Sequence, residues 1–143
     1  MDRKASARWH GDLKNGNGQV RLGSGVFEGP YSFLSRFDRA PGTNPEELLG
    51  AAHAGCFSMA LSATLAHAGH KPVSVDTTAI VQLEQVGPAS SIIARIDLIT
   101  RGVVPGLDPA EFRRLAEETK QTCIISKALS AVPMTLSAEL VEA

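Results

Sequence analysis

The chain has 143 residues, of which 43% are hydrophobic and 20% charged, and its net charge is −1. This composition fits one globular domain over residues 1–143 with enough apolar material for a core. Acidic and basic residues are interspersed, which argues against binding to nucleic acid or to a membrane and favours a small neutral partner. The first residues, MDRKASARWHGD, lack the apolar segment of a secretory signal, so we expect a cytoplasmic protein.

Short strands with turn signals between them are predicted over residues 4–37. The segments KASARWHGD, QVRLG and YSFLSRF are predicted strands, and the two Asn-Gly pairs of KNGNG mark a turn. Together they predict a small antiparallel sheet. On the last of these strands Arg36 stands between apolar residues, Leu34 and Phe37, where a purely structural strand has little reason to carry a cation.

A long helix is predicted from Asn44 to Gly69. Asn44 is placed as its N-cap, Pro45 as its first residue, Glu47 as the partner in a capping box and Gly69 as its stop signal. No charged side chain follows Glu47 in this segment, so its length would suit a membrane span. Its small residues, its two histidines and its lack of aromatic belts favour a buried helix of an α+β fold instead. A helix that is apolar on every side also suggests a partner chain as cover.

Two strands, a helix and a last strand are predicted after this helix. VSVDTTAIVQLEQV and SIIARIDLITR alternate in polarity and are joined by the turn GPAS, which predicts a hairpin with Ile92, Ile96 and Leu98 on its core face. A second helix is predicted from its N-cap Asp108 to the vicinity of Cys123. The segment ISKALS allows a short helical turn before the strand PMTLSAELVE. The order βββ-α-ββ-α-β is typical of an α+β fold.

The two cysteines, Cys56 and Cys123, are too far apart in the chain for a CxxC motif or a local zinc knuckle. Within an apolar helix, Cys56 has a plain interpretation as a small buried residue. Three observations favour a reactive thiol instead. A second thiol follows an amphipathic helix where it could be exposed, Arg36 is a cation among apolar neighbours, and Glu46 and Glu47 offer that cation a counter-ion.

A thiol attacks only as its thiolate, so a pKa of about 8.5 must fall before it works at neutral pH. We expect Arg36, held by a carboxylate, to lower the pKa of Cys56 and to stabilise the charge that leaves the O–O bond of a peroxide. The attacked sulfur becomes a sulfenic acid. A second thiol must capture it as a disulfide before overoxidation, and Cys123 suits that role.

These motifs together resemble a known family. The run TNPEELLGAAHAGCFSMAL, the triplet SRF and a distant second cysteine are similar to the osmotically inducible protein C family, sister to the organic hydroperoxide resistance proteins. The resemblance extends from ARWHGDLKNGNG to the last strand. It implies an α+β fold with antiparallel sheets around a long buried central helix, an intertwined homodimer, and no metal or organic cofactor.

The implied activity is that of a thiol peroxidase in oxidative and osmotic stress defence. It would reduce organic hydroperoxides, and hydrogen peroxide, with a lipoyl-type or thioredoxin-like dithiol. The resemblance makes Cys56 the peroxidatic cysteine, Cys123 the resolving cysteine, Arg36 the activating cation and Glu46 its carboxylate partner. One departure is Ile124, because the family usually has a proline directly after the second cysteine, where proline would fix the backbone.

Two other functions stay open at this level. Cys56 with His53, one helical turn earlier, would make a Cys-His hydrolase, although no orienting residue or oxyanion-hole motif is evident. The same two residues would need further ligands to hold a metal. The chain could also be a non-catalytic protein that binds an apolar ligand. Four residues are candidates either for an apolar pocket or for the core: Phe33, Phe37, Phe57 and Met59.

The spacing of Glu46 and Cys56 bears on where the site is assembled. On one straight helix their Cα atoms would be about 15 Å apart. An Arg36 side chain, reaching roughly 6 to 7 Å, does not easily touch both groups across that distance. Either the helix is broken or Glu46 reaches Arg36 from a neighbouring subunit. The apolar circumference of the helix favours the second alternative, which predicts composite active sites across a dimer interface.

Overall fold

The computed structural model describes residues 1–142 and divides the chain into two compact units, Met1–Leu48 and Leu49–Ala143. The first unit contains β1 (Ala5–His10), β2 (Asn17–Leu22), β3 (Glu28–Tyr31) and α1 (Phe33–Phe37). Helix α2 (Pro45–His67) follows. The second unit contains β4 (Ser74–Gly87), β5 (Ser90–Val103), α3 (Pro109–Thr122), α4 (Ile124–Ala128) and β6 (Met134–Leu140). This order is the predicted α+β arrangement with the additional short helix α1 and a helical α4.

The sheet of the first unit is antiparallel, as predicted, with the order β1-β2-β3. Gly18 on the middle strand lies opposite Trp9 on one side and Tyr31 on the other. Because glycine has no side chain, the two flanking rings approach each other to a centroid distance of 5.2 Å. No apolar side chain is buried within residues 1–48, where every buried position is a glycine or a polar residue.

The segment predicted as the third strand is largely helical, because YSFLSRF contains α1. Its two serines explain the difference. The Ser32 hydroxyl accepts a hydrogen bond from the Ser35 N–H at 3.0 Å, and the Ser35 hydroxyl accepts one from the Ser32 N–H at 2.9 Å. This reciprocal capping box starts a helix where the apolar pattern alone suggested a strand. Arg36 therefore lies in the last turn of a short helix.

Helix α2 begins and ends as predicted. The Asn44 side chain accepts a hydrogen bond from the Glu47 N–H at 2.8 Å, and Pro45 is the first helical residue. After the last turn Gly69 has a φ of 87° and closes the helix with the two hydrogen bonds of a Schellman motif. The helix is continuous between these ends, so the alternative of a broken helix, which the sequence left open, is excluded.

The burial of α2 within the chain is one-sided, which corrects the prediction of a helix buried on every side. Phe57, Leu61 and Leu65 follow one another at single-turn spacing and are fully buried, whereas Met59 is 77% exposed. The helix is long and apolar enough to cross a membrane, but only 28% of its most apolar window is buried within the chain. Its stripe of large side chains enters the core of the second unit, as in the core helix of a globular protein.

The second sheet has the order β4-β5-β6 and is mixed, not antiparallel as predicted. β4 and β5 form the predicted hairpin, and β6 lies parallel to β5. A parallel neighbour needs a crossover connection, which α3 and α4 supply. The core of this unit comprises Phe57, Leu61, Leu65, Ile96, Leu98, Val104, Leu107, Phe112, Leu115, Ala116 and Cys123.

A β-bulge in the hairpin changes which residues face this core. The register between β4 and β5 shifts between Gln82 and Leu83, which reverses the inward and outward alternation beyond that point. Ile93 therefore packs against the core, and Ile92, predicted to do so, is 48% exposed. Ile96, on the other side of the bulge, is fully buried as predicted.

Candidate active site

The two cysteines are adjacent in the folded second unit. Cys56 lies on α2 and Cys123 at the junction of α3 and α4, and their Sγ atoms are 3.3 Å apart, in hydrogen-bond contact. Both are free thiols. A disulfide bond has an S–S length of about 2.05 Å, so the two sulfurs need only a short approach to bond.

The position of Cys123 follows from helix α3. The helix starts at its predicted N-cap Asp108, whose carboxylate accepts hydrogen bonds from the first turn. Its buried stripe includes Leu115 and Thr119, and Cys123 stands one helical turn beyond Thr119. Cys123 is therefore only 1% exposed, which corrects the expectation of an exposed second thiol. Cys56 is half-buried and is the more accessible of the pair.

The surroundings act differently on the two thiols. Burial raises the pKa of Cys56, N–H groups of Ile125 and Ile124 oppose that rise, and the contact with Cys123 adds to it. Burial would also raise the pKa of Cys123. The N–H and hydroxyl of nearby Ser126, together with Cys56 and the Ile125 N–H, outweigh it and lower the pKa of Cys123. Donors at the start of α4 thus favour a negative charge on the thiol pair.

Ile124 is the first residue of α4, so this helix forms without the proline that the resemblance implies. The Ile124 side chain is 76% exposed. Its backbone keeps an N–H, which proline would lack, and that N–H is among the groups that lower the pKa of Cys56. The departure from the family pattern therefore adds a donor to the thiol pair and leaves the turn in place.

Arg36 and Glu46 form an ion pair within the first unit. Arg36 Nη2 lies 2.7 Å from Glu46 Oε1, and Arg36 Nε lies 3.2 Å from both carboxylate oxygens. Both residues belong to one chain, so the prediction that Glu46 reaches Arg36 from a neighbouring subunit is wrong. The prediction failed because it did not include helix α1. The Ser35 carbonyl of α1 accepts a hydrogen bond from the Asn44 side chain at 3.2 Å, which joins α1 to the start of α2.

A cavity of about 440 Å³ lies beside Arg36 in the first unit. The guanidinium carbon of Arg36 lies 5.3 Å from the centroid of the Phe37 ring, a cation–π distance. Of the four apolar candidates, Phe33 and Phe37 line this cavity, Phe57 belongs to the core of the second unit and Met59 is exposed. The lining is completed by Trp9, Gly11, Leu13, Tyr31, Ser32 and Pro45.

His53 is fully buried and bonds to Ser126, not to Cys56. Its Nε2 lies 2.8 Å from Ser126 Oγ, and its Nδ1 is buried without a hydrogen-bond partner among residues 1–142. Burial lowers the pKa of His53, so the imidazole is neutral at pH 7. The base–nucleophile contact of a Cys-His hydrolase is therefore not formed. Sequence reasoning missed Ser126, because its contact with His53 joins residues 73 positions apart and no local pattern marks it.

The two thiols are in contact, one half-buried and the other in the core, an arrangement that allows a disulfide to form between them. In the part of the chain that the structure describes, residues 1–142, no group of three or more His, Cys, Asp or Glu side chains is arranged to hold a metal ion.

The chain belongs to the OsmC-like protein family, whose model matches residues 38–137. It is 47% identical to the peroxiredoxin OsmC of Escherichia coli (strain K12) over 132 residues, which are 92% of each chain. It is 35% identical over 88 residues to the organic hydroperoxide resistance protein of Xanthomonas axonopodis pv. citri (strain 306), covering 61% of this chain and 59% of that protein.

The fold is that of solved members of the same group. The crystal structure of the organic hydroperoxide resistance protein OhrB of Bacillus subtilis aligns with a TM-score of 0.74. The alignment covers 99% of this chain and 98% of that chain at 22% sequence identity. The predicted family and the predicted OsmC-like α+β fold are thereby confirmed.

Proposed function

We propose that this protein is a cysteine-dependent peroxidase that reduces organic hydroperoxides, and hydrogen peroxide, with a dithiol as the electron donor. The observation that carries the proposal is the 3.3 Å contact between Cys56 Sγ and Cys123 Sγ. The family supports it, because one relative is named a peroxiredoxin and another an organic hydroperoxide resistance protein. The chain is an enzyme of this peroxidase class.

The reaction proceeds in three balanced steps. The Cys56 thiolate attacks one peroxide oxygen, an S–O bond forms, the O–O bond breaks, and the product leaves as an alcohol after taking a proton. The Cys123 thiolate then attacks the sulfenic sulfur, the S–S bond forms, the S–O bond breaks, and the departing hydroxide takes up the proton that Cys123 released and leaves as water. A lipoyl-type or thioredoxin-like dithiol finally exchanges with the disulfide, becomes oxidised itself, and restores both thiols.

Accessibility supports this division of roles between the cysteines. Cys56 is half-buried, so a peroxide can approach it, while Cys123 is 1% exposed and is shielded from a bulky hydroperoxide. A buried resolving thiol in contact with the attacking thiol can close the disulfide with little movement. Cys56 is therefore assigned as peroxidatic and Cys123 as resolving.

Arg36 is assigned as the activating cation and Glu46 as the carboxylate that holds it. Burial raises the pKa of Cys56, so the second unit alone disfavours the thiolate that must attack. A guanidinium favours a nearby thiolate and stabilises the developing alkoxide. The aromatic cavity beside Arg36 offers room for the apolar part of an organic hydroperoxide.

We infer further that the enzyme is an intertwined homodimer with composite sites. One face of α2 is left exposed and apolar, with Met59 at 77%, and nearby Val73 is 70% exposed. A second copy would cover such a surface. Along one continuous helix the Cα atoms of Glu46 and Cys56 are about 15 Å apart, too far for an Arg36 held by Glu46 to reach Cys56 of its own chain. The Arg36–Glu46 pair of one chain would therefore serve Cys56 of the other.

Mixed dimers test the composite site. A Cys56→Ser chain is mixed with an Arg36→Met chain under conditions of subunit exchange, with each variant alone as control. Shared sites predict that one of the two sites in each mixed dimer is intact, so activity returns. Mixed dimers that form without recovering activity would mean that Arg36 serves its own chain.

We also propose that the chain is a single domain and that the protein is cytoplasmic. The match to the 47% identical relative spans 92% of the chain and so crosses the boundary between the two compact units, which supports one OsmC-like domain over residues 1–143. A cytoplasmic location suits the cycle, because the reductants of that compartment keep free thiols reduced.

The decisive experiment is a titration of the reduced protein with an organic hydroperoxide such as cumene hydroperoxide. One equivalent should consume two thiols, yield one equivalent of alcohol, and leave a disulfide that peptide mapping assigns to Cys56 and Cys123. A Cys-His hydrolase or a non-catalytic binding protein predicts instead that both thiols survive the peroxide. Survival of both thiols would therefore reject the peroxidase assignment.

A further inference from the structure

A buried junction of hydrogen bonds joins helix α1 to the start of α2. The Ser35 hydroxyl donates to the Thr43 carbonyl at 2.8 Å, and the Asn44 side chain donates from Nδ2 to the Ser35 carbonyl at 3.2 Å. The Thr43 N–H donates to the carbonyl of Pro30, on β3, at 2.9 Å. Ser35 and Thr43 are each only 6% exposed, so the junction is shielded from water.

Asn44 is the residue of this junction that bonds to both helices. Its Oδ1 accepts a hydrogen bond from the Glu47 N–H at 2.8 Å, which caps α2, while its Nδ2 donates to the Ser35 carbonyl of α1. These two partners fix the orientation of the amide, because the carbonyl needs a donor and the NH₂ group needs an acceptor. Serine and aspartate cap helices as well as asparagine does, so capping alone does not require this residue. Of these side chains, the amide of asparagine combines an acceptor with N–H donors on a separate atom.

The junction is adjacent in the sequence to both members of the ion pair. Arg36 directly follows Ser35, and Glu46 is the second residue after Asn44. Arg36 contacts the Glu46 carboxylate through Nε and Nη2, at 2.7 to 3.2 Å, and Nη1 is not part of this contact. A contact through two nitrogens depends on the relative position of the two backbones. The position of α1 against the start of α2 therefore sets the direction in which Nη1 points.

Helix α1 depends on contacts outside itself to hold this position. It has only five residues, and a helix so short is not stable alone. Glu46 is buried, whereas the Arg36 side chain is 39% exposed. The carboxylate is therefore the fixed member of the pair, and the guanidinium is the member that can turn away when α1 shifts.

We propose that Asn44 is a positioning residue, whose hydrogen bond to the Ser35 carbonyl holds α1 where Arg36 meets Glu46 through two nitrogens and so orients the cation that activates the peroxidatic thiol. The proposal rests on the proposed function, because it takes Arg36 to be the activating cation. It gives Asn44 a second role besides capping α2.

Two substitutions at Asn44 separate positioning from capping. Asn44→Ser keeps an acceptor for the Glu47 N–H but has no nitrogen in the place of Nδ2, and Asn44→Ala removes both bonds. Asp108→Ala, which removes the N-cap of α3, is the matched control for the loss of a cap elsewhere.

Three quantities are measured for each variant. They are the melting temperature, the exchange of the Arg36 Nε–H with water, and the rate of Cys56 alkylation at pH 7 in a Cys123→Ser background. The exchange is followed by NMR, and the Arg36 signal is assigned as the one that is missing from Arg36→Met.

The two Asn44 variants should have the same effect on the cation and different effects on stability. Both lose the bond to the Ser35 carbonyl, so the Arg36 Nε–H should exchange about tenfold faster and Cys56 alkylation should slow about three- to tenfold in both. Asn44→Ala also lacks the cap and should melt about 3 to 6 °C below Asn44→Ser. Asp108→Ala should lower the melting temperature by a similar amount and leave the exchange and the alkylation unchanged.

A double variant tests whether Asn44 acts through the cation. Added to Arg36→Met, Asn44→Ser should slow alkylation no further, because the residue that it positions is already absent. If Asn44→Ser slows alkylation equally with and without Arg36, the proposal is overturned.

The proposal is also overturned if exchange and alkylation follow the melting temperature, with Asn44→Ser close to the wild type and only Asn44→Ala impaired. Asn44 would then be a cap and nothing more. If Asn44→Ala does not fold, Asn44→Ser in the two backgrounds decides. If the Arg36 Nε–H exchanges faster as expected but hydroperoxide forms no disulfide in the wild-type protein, the positioning is supported and the proposed function is rejected.

Discussion

The two compact units are stabilised by different kinds of interaction. In residues 1–48 the buried positions are glycines and polar residues, and the candidate functional pair, Arg36 and Glu46, is charged. In the second unit an apolar core surrounds the thiol of Cys123. Substitutions at the cation should therefore change the chemistry and spare the stability of the core. Substitutions around the thiols should affect both.

The largest expected effect is at Cys56. Cys56→Ser removes the only accessible member of the thiol pair, so multi-turnover peroxidase activity should fall by about 10³-fold or more. Cys123→Ser is the matched control in the same unit. It should still consume one hydroperoxide per chain, while Cys56 proceeds to sulfinic and sulfonic acid. Full turnover by Cys56→Ser, measured as peroxide-dependent dithiol oxidation, would place the chemistry outside this cysteine.

Arg36→Met tests the contribution of the first unit. Without the cation, the raised pKa of Cys56 is no longer offset, so peroxide consumption at pH 7 should fall by about 10²-fold. Because only the thiolate reacts, the part of the lost rate that comes from a smaller thiolate fraction should return as the pH rises through the higher pKa of the variant. The measurement is the pH profile of thiol alkylation and of peroxide consumption. Arg39→Met, at an exposed arginine nearby, is the control, and a profile shared by all three proteins contradicts the assignment.

The same leucine-to-alanine change should distinguish the two units by stability. Leu61 is fully buried in the core of the second unit, so Leu61→Ala should lower the free energy of unfolding by about 3 kcal/mol. Leu13 is 62% exposed, and Leu13→Ala should change the free energy of unfolding by no more than about 0.5 kcal/mol. Chemical denaturation of the reduced proteins measures both. Equal losses would show that apolar packing is not confined to the second unit.

The smallest expected effect concerns Ile124. The backbone of Cys123 already has φ −54° and ψ 129°, the extended conformation that a residue before proline prefers, so Ile124→Pro should fold normally. It removes one N–H that lowers the pKa of Cys56, and alkylation at pH 7 should slow by about three- to tenfold. Ile124→Ala keeps the N–H and should match the wild type. Identical rates for all three would exclude a role for this donor.

Local signals in the sequence were sufficient for most of the fold. Asn44 and Asp108 accept the predicted capping hydrogen bonds, and Gly69 ends α2 as expected. The misassigned α1 depended on a hydrogen-bond exchange between Ser32 and Ser35, which competes with the strand pattern of the apolar residues around it. The parallel β6 and the bulge in β5 depend on pairing between distant segments, which periodicity within one segment does not encode.

The candidate site was predictable in its residues and less so in its environment. The pairing of Arg36 with Glu46 and the contact of Cys56 with Cys123 both agree with the residues that the sequence selected. The burial of Cys123 was not foreseen, although the spacing of Leu115, Thr119 and Cys123 along α3 contained the signal. Which chain supplies Arg36 to a given Cys56 depends on assembly and stays a prediction.

The separation of Cys56 and Cys123 along the chain has a consequence for the stability of the oxidised form. The two residues are 67 positions apart, so a disulfide between them closes a large loop that includes β4, β5 and α3. Closing a loop of this length reduces the conformational entropy of the unfolded chain and stabilises the folded form by about 4 kcal/mol in the chain-entropy model. The oxidised enzyme should therefore melt at a higher temperature than the reduced enzyme. In each catalytic cycle the enzyme would then alternate between an oxidised form stabilised by the disulfide and a less stable reduced form.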